Sequence, residues 1–183
     1  MEEQLVLSQA LMCLLQARTL VSDFGRAQEK ARQAIQLASQ WPNSWVSKGI
    51  RVPAHSWFFY NPNAALEVFG GYEEAERQIN AGGLMIHFMT AVGSLCGRRY
   101  DQVLSSLQAA AVDEPGNPFI DFLRAVALIE TGSPEAATAL SQFATEHANH
   151  PLAFILGSGP TQGGSEPLSW PTDANKHEDP GTG

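Results

Sequence analysis

Positive charge is scarce in this chain, cysteine occurs only twice, and no apolar run is long enough to span a bilayer, which takes about 20 residues. Eleven Lys and Arg stand against nineteen Asp and Glu, and the net charge of −8 opposes attraction to phosphate backbones and anionic lipid. A nucleic-acid partner and a membrane are therefore not expected. Cys13 and Cys96 both sit in helical patterns of small aliphatic residues, where a reduced thiol packs as a small hydrophobe. The opening Met1-Glu2-Glu3-Gln4 carries no basic leader, and the apolar stretch from Leu5 to Leu15 lacks a small-residue cleavage site, so it reads as a core helix of a cytoplasmic protein. Phosphate-loop chemistry is missing too: Gly163-Gly164-Ser165 has neither the lysine nor the strand-to-helix setting it requires.

What the chain does have is a self-match at an offset of 34 residues. Phe88-Met89-Thr90-Ala91-Val92 recurs as Phe122-Leu123-Arg124-Ala125-Val126, and the match continues through Gly93/Ala127, Leu95/Ile129 and Asp101/Glu135. Small residues fall on small, aliphatics on aliphatics and acids on acids. Thirty-four residues is the length of a helix-turn-helix unit, so the period is structural and not catalytic.

With 183 residues and 44% hydrophobic content, the chain can bury one sizeable core. Leu7, Ala10, Leu11, Leu14 and Ala17 recur at three- and four-residue steps in a first helix near residues 3–20, and Leu5, Met12 and Leu15 widen its stripe. Ser22 or Asp23 can cap a second helix, whose face is Ala27, Ala31, Ala34, Ile35 and Ala38 and which ends at Trp41-Pro42-Asn43. Residues 45–63 break the pattern, since Pro53 and Pro62 bracket the aromatic cluster Trp57-Phe58-Phe59-Tyr60. Asn61-Pro62 then suits the start of a short helix over Ala64–Phe69, closed by Gly70-Gly71, and Tyr72 begins another that runs to about Asn80.

Regularity returns with Phe88, Ala91, Val92 and Leu95 and again with Phe122, Ala125, Val126 and Ile129 as the faces of two first helices. Their partners carry Val103, Leu107, Ala110, Ala111 and Ala136, Leu140, Phe143, Ala144. Ser133-Pro134-Glu135 offers a cap, a first-turn proline and a first-turn acid for the last of these. The domain is expected to fill residues 1–156, and residues 157–183, rich in Gly, Pro and Ser, to form a disordered tail. Within that tail, Leu168 and Trp170 are the large apolar pair that suggests either a linear docking motif or self-docking onto the domain.

Residues 84–118 resemble a tetratricopeptide repeat: Tyr100-Asp101-Gln102-Val103 stands where that family opens its second helix, Pro115 where it closes, and Ala91 where the paired helices touch. The next unit has Ala125, Gly132 and Ala137 in place, but Pro134 for the tyrosine and Asn149 for the proline; Tyr72-Glu73-Glu74-Ala75 looks like a third start. Size, acidity and layout are also similar to the type III secretion chaperones that hold translocator proteins. The resemblance implies an all-α, right-handed stack of about three antiparallel helical hairpins, a non-enzymatic scaffold that binds a peptide or helix of another protein. It places His87, Thr90, Ser94, Asp121 and Arg124 on the groove side of the first helices. An accessory repeat domain of a regulatory assembly and a small helical enzyme are the alternatives.

Trp57, Phe58, Phe59 and Tyr60 have two readings: exposed rings that anchor a partner or a second copy of the chain, or a cap on the open edge of the first hairpin. His147 and His150 lie beside Glu146 with no third ligand of fixed spacing, so solvent-facing histidines near a helix C-terminus are expected and no metal or cofactor. Arg98-Arg99 reads as a solvated turn, and neither cysteine has a base in view.

Overall fold

The structure is a computed structural model that describes residues 2–20 and 22–155, the last by its backbone alone. Every regular element among these is a helix: α1 (Glu2–Thr19), α2 (Phe24–Ala38), α3 (Trp45–Phe58), α4 (Pro62–Glu67), α5 (Tyr72–Ala81), α6 (Leu84–Cys96), α7 (Tyr100–Asp113), α8 (Pro118–Glu130), α9 (Ala136–Glu146) and α10 (Pro151–Ile155). None of them is long and apolar enough to cross a membrane by itself. The expected tail, with Leu168, Trp170 and the glycine pair, lies outside the described residues.

The centre of the molecule is α1. Leu7, Ala10, Leu11, Leu14, Leu15 and Ala17 are all within 2% of complete burial, and Met12 and Arg18 are buried as well. A helix apolar on so many sides must be surrounded; α1 touches α2, α3 and α10. Against it α2 lays a face of Ala27, Ala31, Ala34 and Ala38, each at most 1% exposed, and such small side chains let two backbones come close. The Asp23 carboxylate accepts from the Arg26 N–H at 3.1 Å and so starts α2.

Residues 45–58, where the sequence pattern breaks, are helical, and Pro53 does not interrupt them. It lies buried inside α3, among Val46, Ile50, Ala54 and Phe58. A proline costs an interior helix about 3 kcal/mol through its missing N–H and its clash with the preceding turn. Here the residue four positions earlier is Gly49, whose missing side chain admits the Phe88 ring: a Cβ on Gly49 would lie 2.3 Å from Phe88 Cδ1. Trp45 packs edge-on against the same ring at 5.0 Å between centroids. Burial of this apolar face against α6 outweighs the local penalty. After Phe59 the chain turns through Tyr60 at a φ of 50°, left-handed and disfavoured for a bulky side chain. Asn61 then accepts from the Ala64 N–H at 3.1 Å and caps α4 with Pro62 in its first turn, as the sequence predicts, although the helix stops at Glu67, short of Phe69.

The 34-residue offset has a structural counterpart in α6 and α8, which are both 13 residues long and begin and end 34 apart. They also stop alike. The Arg98 N–H bonds to the Leu95 carbonyl and the Arg99 N–H to that of Ser94; one period later, Gly132 bonds to Ile129 and Ser133 to Leu128. This paired pattern calls for a left-handed residue, supplied by Arg98 (φ 55°) in one helix and Gly132 (φ 63°) in the other. Regular helix in α9 starts at Ala136, past the predicted first-turn Pro134: Ser133 does accept from the Glu135 N–H, at 3.3 Å, but residues 133–136 form a preceding turn.

At one end Arg18 joins three helices. Its guanidinium donates to the Leu95 carbonyl in the last turn of α6 at 3.4 Å and makes a two-pronged pair with Glu130 of α8, to which the Tyr100 hydroxyl also donates at 2.6 Å. Burial works against both charges, but the hydrogen bonds and mutual attraction outweigh it, holding Glu130 below the usual carboxylate range and raising Arg18. At the other end α10 contacts both α1 and α8, with Leu152 and Ala153 buried.

Candidate functional site

Helices carry the chemistry of this chain to one side of α8. Asn117 accepts from the Phe119 N–H at 2.9 Å and Pro118 occupies the first turn, so α8 starts firmly and sets Asp121 in its opening turn, where negative charge is favoured. Between α8 and α7 runs a cleft of about 470 Å³, within the roughly 300–1,000 Å³ usual for ligand sites. Its floor is Leu107, Ile120 and Leu128, all at least 95% buried. Leu104 and Ala111 form the α7 wall, and Ser105, Gln108, Asp121, Arg124 and Glu135 supply a polar rim. Val112, four residues on from Gln108, is 79% exposed.

Two of the five groove residues expected from the sequence, Asp121 and Arg124, therefore share a cleft. The other three do not join them. His87 and Thr90 are half-buried on α6, which is not a wall of this cleft, and Ser94 is 1% exposed with its hydroxyl unpartnered in the core. Ser94 is thus corrected from groove to interior: it shares the buried face of α6 with Ala91, Val92 and Leu95. The opposite wall comes from α7: Leu104 and Gln108, which belong to no face expected from the sequence, and Ala111, expected on the core face but half-buried at the cleft. A signal was available, since Leu104 and Val112 are large apolar residues off the Val103/Leu107/Ala110 core face.

The aromatic cluster is divided. Phe58 is 6% exposed, a core residue and not a partner contact, because it falls on the buried face of α3. Phe59 lies under the Arg32 guanidinium at 5.8 Å, Tyr60 stacks on Phe24 at 6.4 Å, and the Phe58 carbonyl accepts from Gln28 at 2.9 Å, so the end of α3 is laid along α2. Trp57 is 40% exposed and leans on Gly97, where an added Cβ would lie 2.9 Å from its ring. Trp57 and Tyr60 keep open surface, separately.

Toward α9 the Asp121 carboxylate meets His147 Nε2 at 2.8 Å, and the His147 ring rests on Phe143 at 5.1 Å. His150 is not solvent-facing as expected. It is 8% exposed, edge-on to Phe119 at 5.3 Å, with Nδ1 accepting from the Leu152 N–H at 3.3 Å and Nε2 unpartnered. Burial, and secondarily the nearby His147, push its pKa down to about 4, so the ring is neutral. The turn after α9 folds inward to seat α10, which carries His150 with it. Both thiols are free; burial raises Cys13 and takes Cys96 up to about 12, which leaves neither with thiolate character near neutrality. Comparison of the chain with protein-family models, curated proteins and solved structures finds no match.

Proposed function

We propose that the chain is a non-enzymatic binding protein that holds a peptide or helix of another protein in the cleft between α7 and α8. The observation that carries this reading is the cleft itself: an apolar floor with Leu104 and Ala111 half-buried along one wall, and charged groups confined to the rim. Apolar anchors from a partner would fill the floor while Asp121, Arg124 and Glu135 fix register. A net charge of −8 favours a partner with basic flanks by drawing it in at long range. The equal lengths and like endings of α6 and α8 support the reading of the chain as a tetratricopeptide-like stack of hairpins, the class of scaffold whose helices present such grooves.

The test is selection of a displayed random-peptide library on the wild-type chain, followed by affinity measurement on Ala111→Glu and Leu104→Glu variants of unchanged helicity. Selected sequences should share two apolar anchors at helical spacing with basic flanks, and either substitution should weaken them at least about tenfold. Peptides that bind both variants as tightly as the wild type would defeat the proposal.

A further inference from the structure

We propose that Asp121, Glu146 and His147 form a binding site for a divalent transition-metal ion, zinc in the first instance. One donor atom from each lies within 4.8 Å of the other two. The set mixes one imidazole with two carboxylates, which suits a first-row ion of intermediate softness; calcium and magnesium prefer oxygen alone and more of it. Glu146 is the last residue of α9 and His147 its cap, while Asp121 comes from the first turn of α8, so the third ligand missing from the local sequence arrives through the packing of α8 on α9.

The geometry needs little change. Donors around a tetrahedral zinc at about 2.1 Å lie roughly 3.4 Å apart, so the 2.8 Å contact of His147 Nε2 with Asp121 opens slightly and Glu146, exposed, swings in. In the metal-free chain Nε2 must donate to the Asp121 carboxylate, which can only accept; the ion takes the place of that proton, which leaves to solvent, while the other ring proton stays on Nδ1. Phe143 backs the imidazole, and His147 is only 10% exposed, so its orientation is set before metal arrives. A recess of about 50 Å³ lined by Asp121, Glu146 and Arg124 leaves room for a water as fourth ligand. Two carboxylates offset the charge of the ion; the exposed Arg124 opposes it. The bound metal pins the end of α9 to the start of α8.

The full chain, freed of metal by chelation, is titrated with Zn²⁺ by calorimetry and with Co²⁺ by visible absorption. One ion per chain is expected, with a rise in Tm on Zn²⁺ addition. His147→Ala and Asp121→Asn should each weaken binding at least about tenfold and abolish the Tm rise, whereas His177→Ala leaves both unchanged. Arg124→Gln keeps all three donors and removes the opposing cation, so it should bind Zn²⁺ several-fold more tightly. Lack of saturable binding, binding that survives His147→Ala with helicity intact, or binding lost in His177→Ala overturns the site.

Discussion

Arg98 and Gly132 occupy the same place one period apart, each left-handed at the end of its helix, yet only glycine adopts that conformation without a side-chain penalty. Arg98→Gly is accordingly expected to stabilise the fold by about 1 kcal/mol, and Gly132→Ala to cost a similar amount, both read from urea unfolding. A second residue-scale expectation concerns Glu130. Its removal leaves the 3%-exposed Arg18 charge without its carboxylate, so Glu130→Ala should cost about 3 kcal/mol, far more than an exposed pair would. His150 gives the pH dependence. Its folded pKa of about 4 lies below the ordinary histidine value, so the unfolded chain takes up the proton first as pH falls. Stability is complete above about pH 6.5 and is lost on acidification toward pH 4, by about 3 kcal/mol. Urea titrations in chelator should show that slope flattened in His150→Phe, which keeps the edge-on packing against Phe119.

Among elements, the contact of α3 with α6 rests on two glycines of unequal consequence. A methyl group at Gly49 would strike the Phe88 ring, itself fully buried and held by Trp45, so Gly49→Ala should cost 2 kcal/mol or more. At Gly97 the obstructing ring is Trp57, 40% exposed and able to swing outward. Gly97→Ala should therefore cost little and shift tryptophan emission to the red. The first helices of the repeat were legible in the sequence because Phe88, Ala91, Val92 and Leu95 are all buried, as are Phe122, Ala125 and Val126, with only Ile129 half-buried; the face read for α9 is weaker, since Phe143 alone is buried. The α3 helix was not, because proline is a local rule overruled by distant packing on Phe88. The site divides the same way. Asp121 and Arg124 could be placed from their repeat positions, whereas the Asp121–His147 contact joins residues 26 apart through a helix pairing that spacing alone does not encode.

On the scale of the whole molecule, the two ends of the described chain meet. Buried residues of α1–α3 and α6–α10 form one continuous core, so a single cooperative unfolding transition is expected for these helices. Leu152, fully buried where α10 meets α1 and α8, tests that unity: Leu152→Ala should cost 2–4 kcal/mol. If the core is continuous, hydrogen exchange should quicken together in α1 and α8 and not in α10 alone. The same enclosure of α1 has a consequence for biosynthesis. The helix with the most completely buried leucines emerges from the ribosome well before α8 and α10, and at roughly 5–20 residues per second its neighbours follow on the order of 10 s later. During that interval Leu7, Leu11, Leu14 and Leu15 have only α2 and α3 to cover them, so the nascent chain presents a transient apolar surface that a general holding factor would recognise until translation supplies the rest.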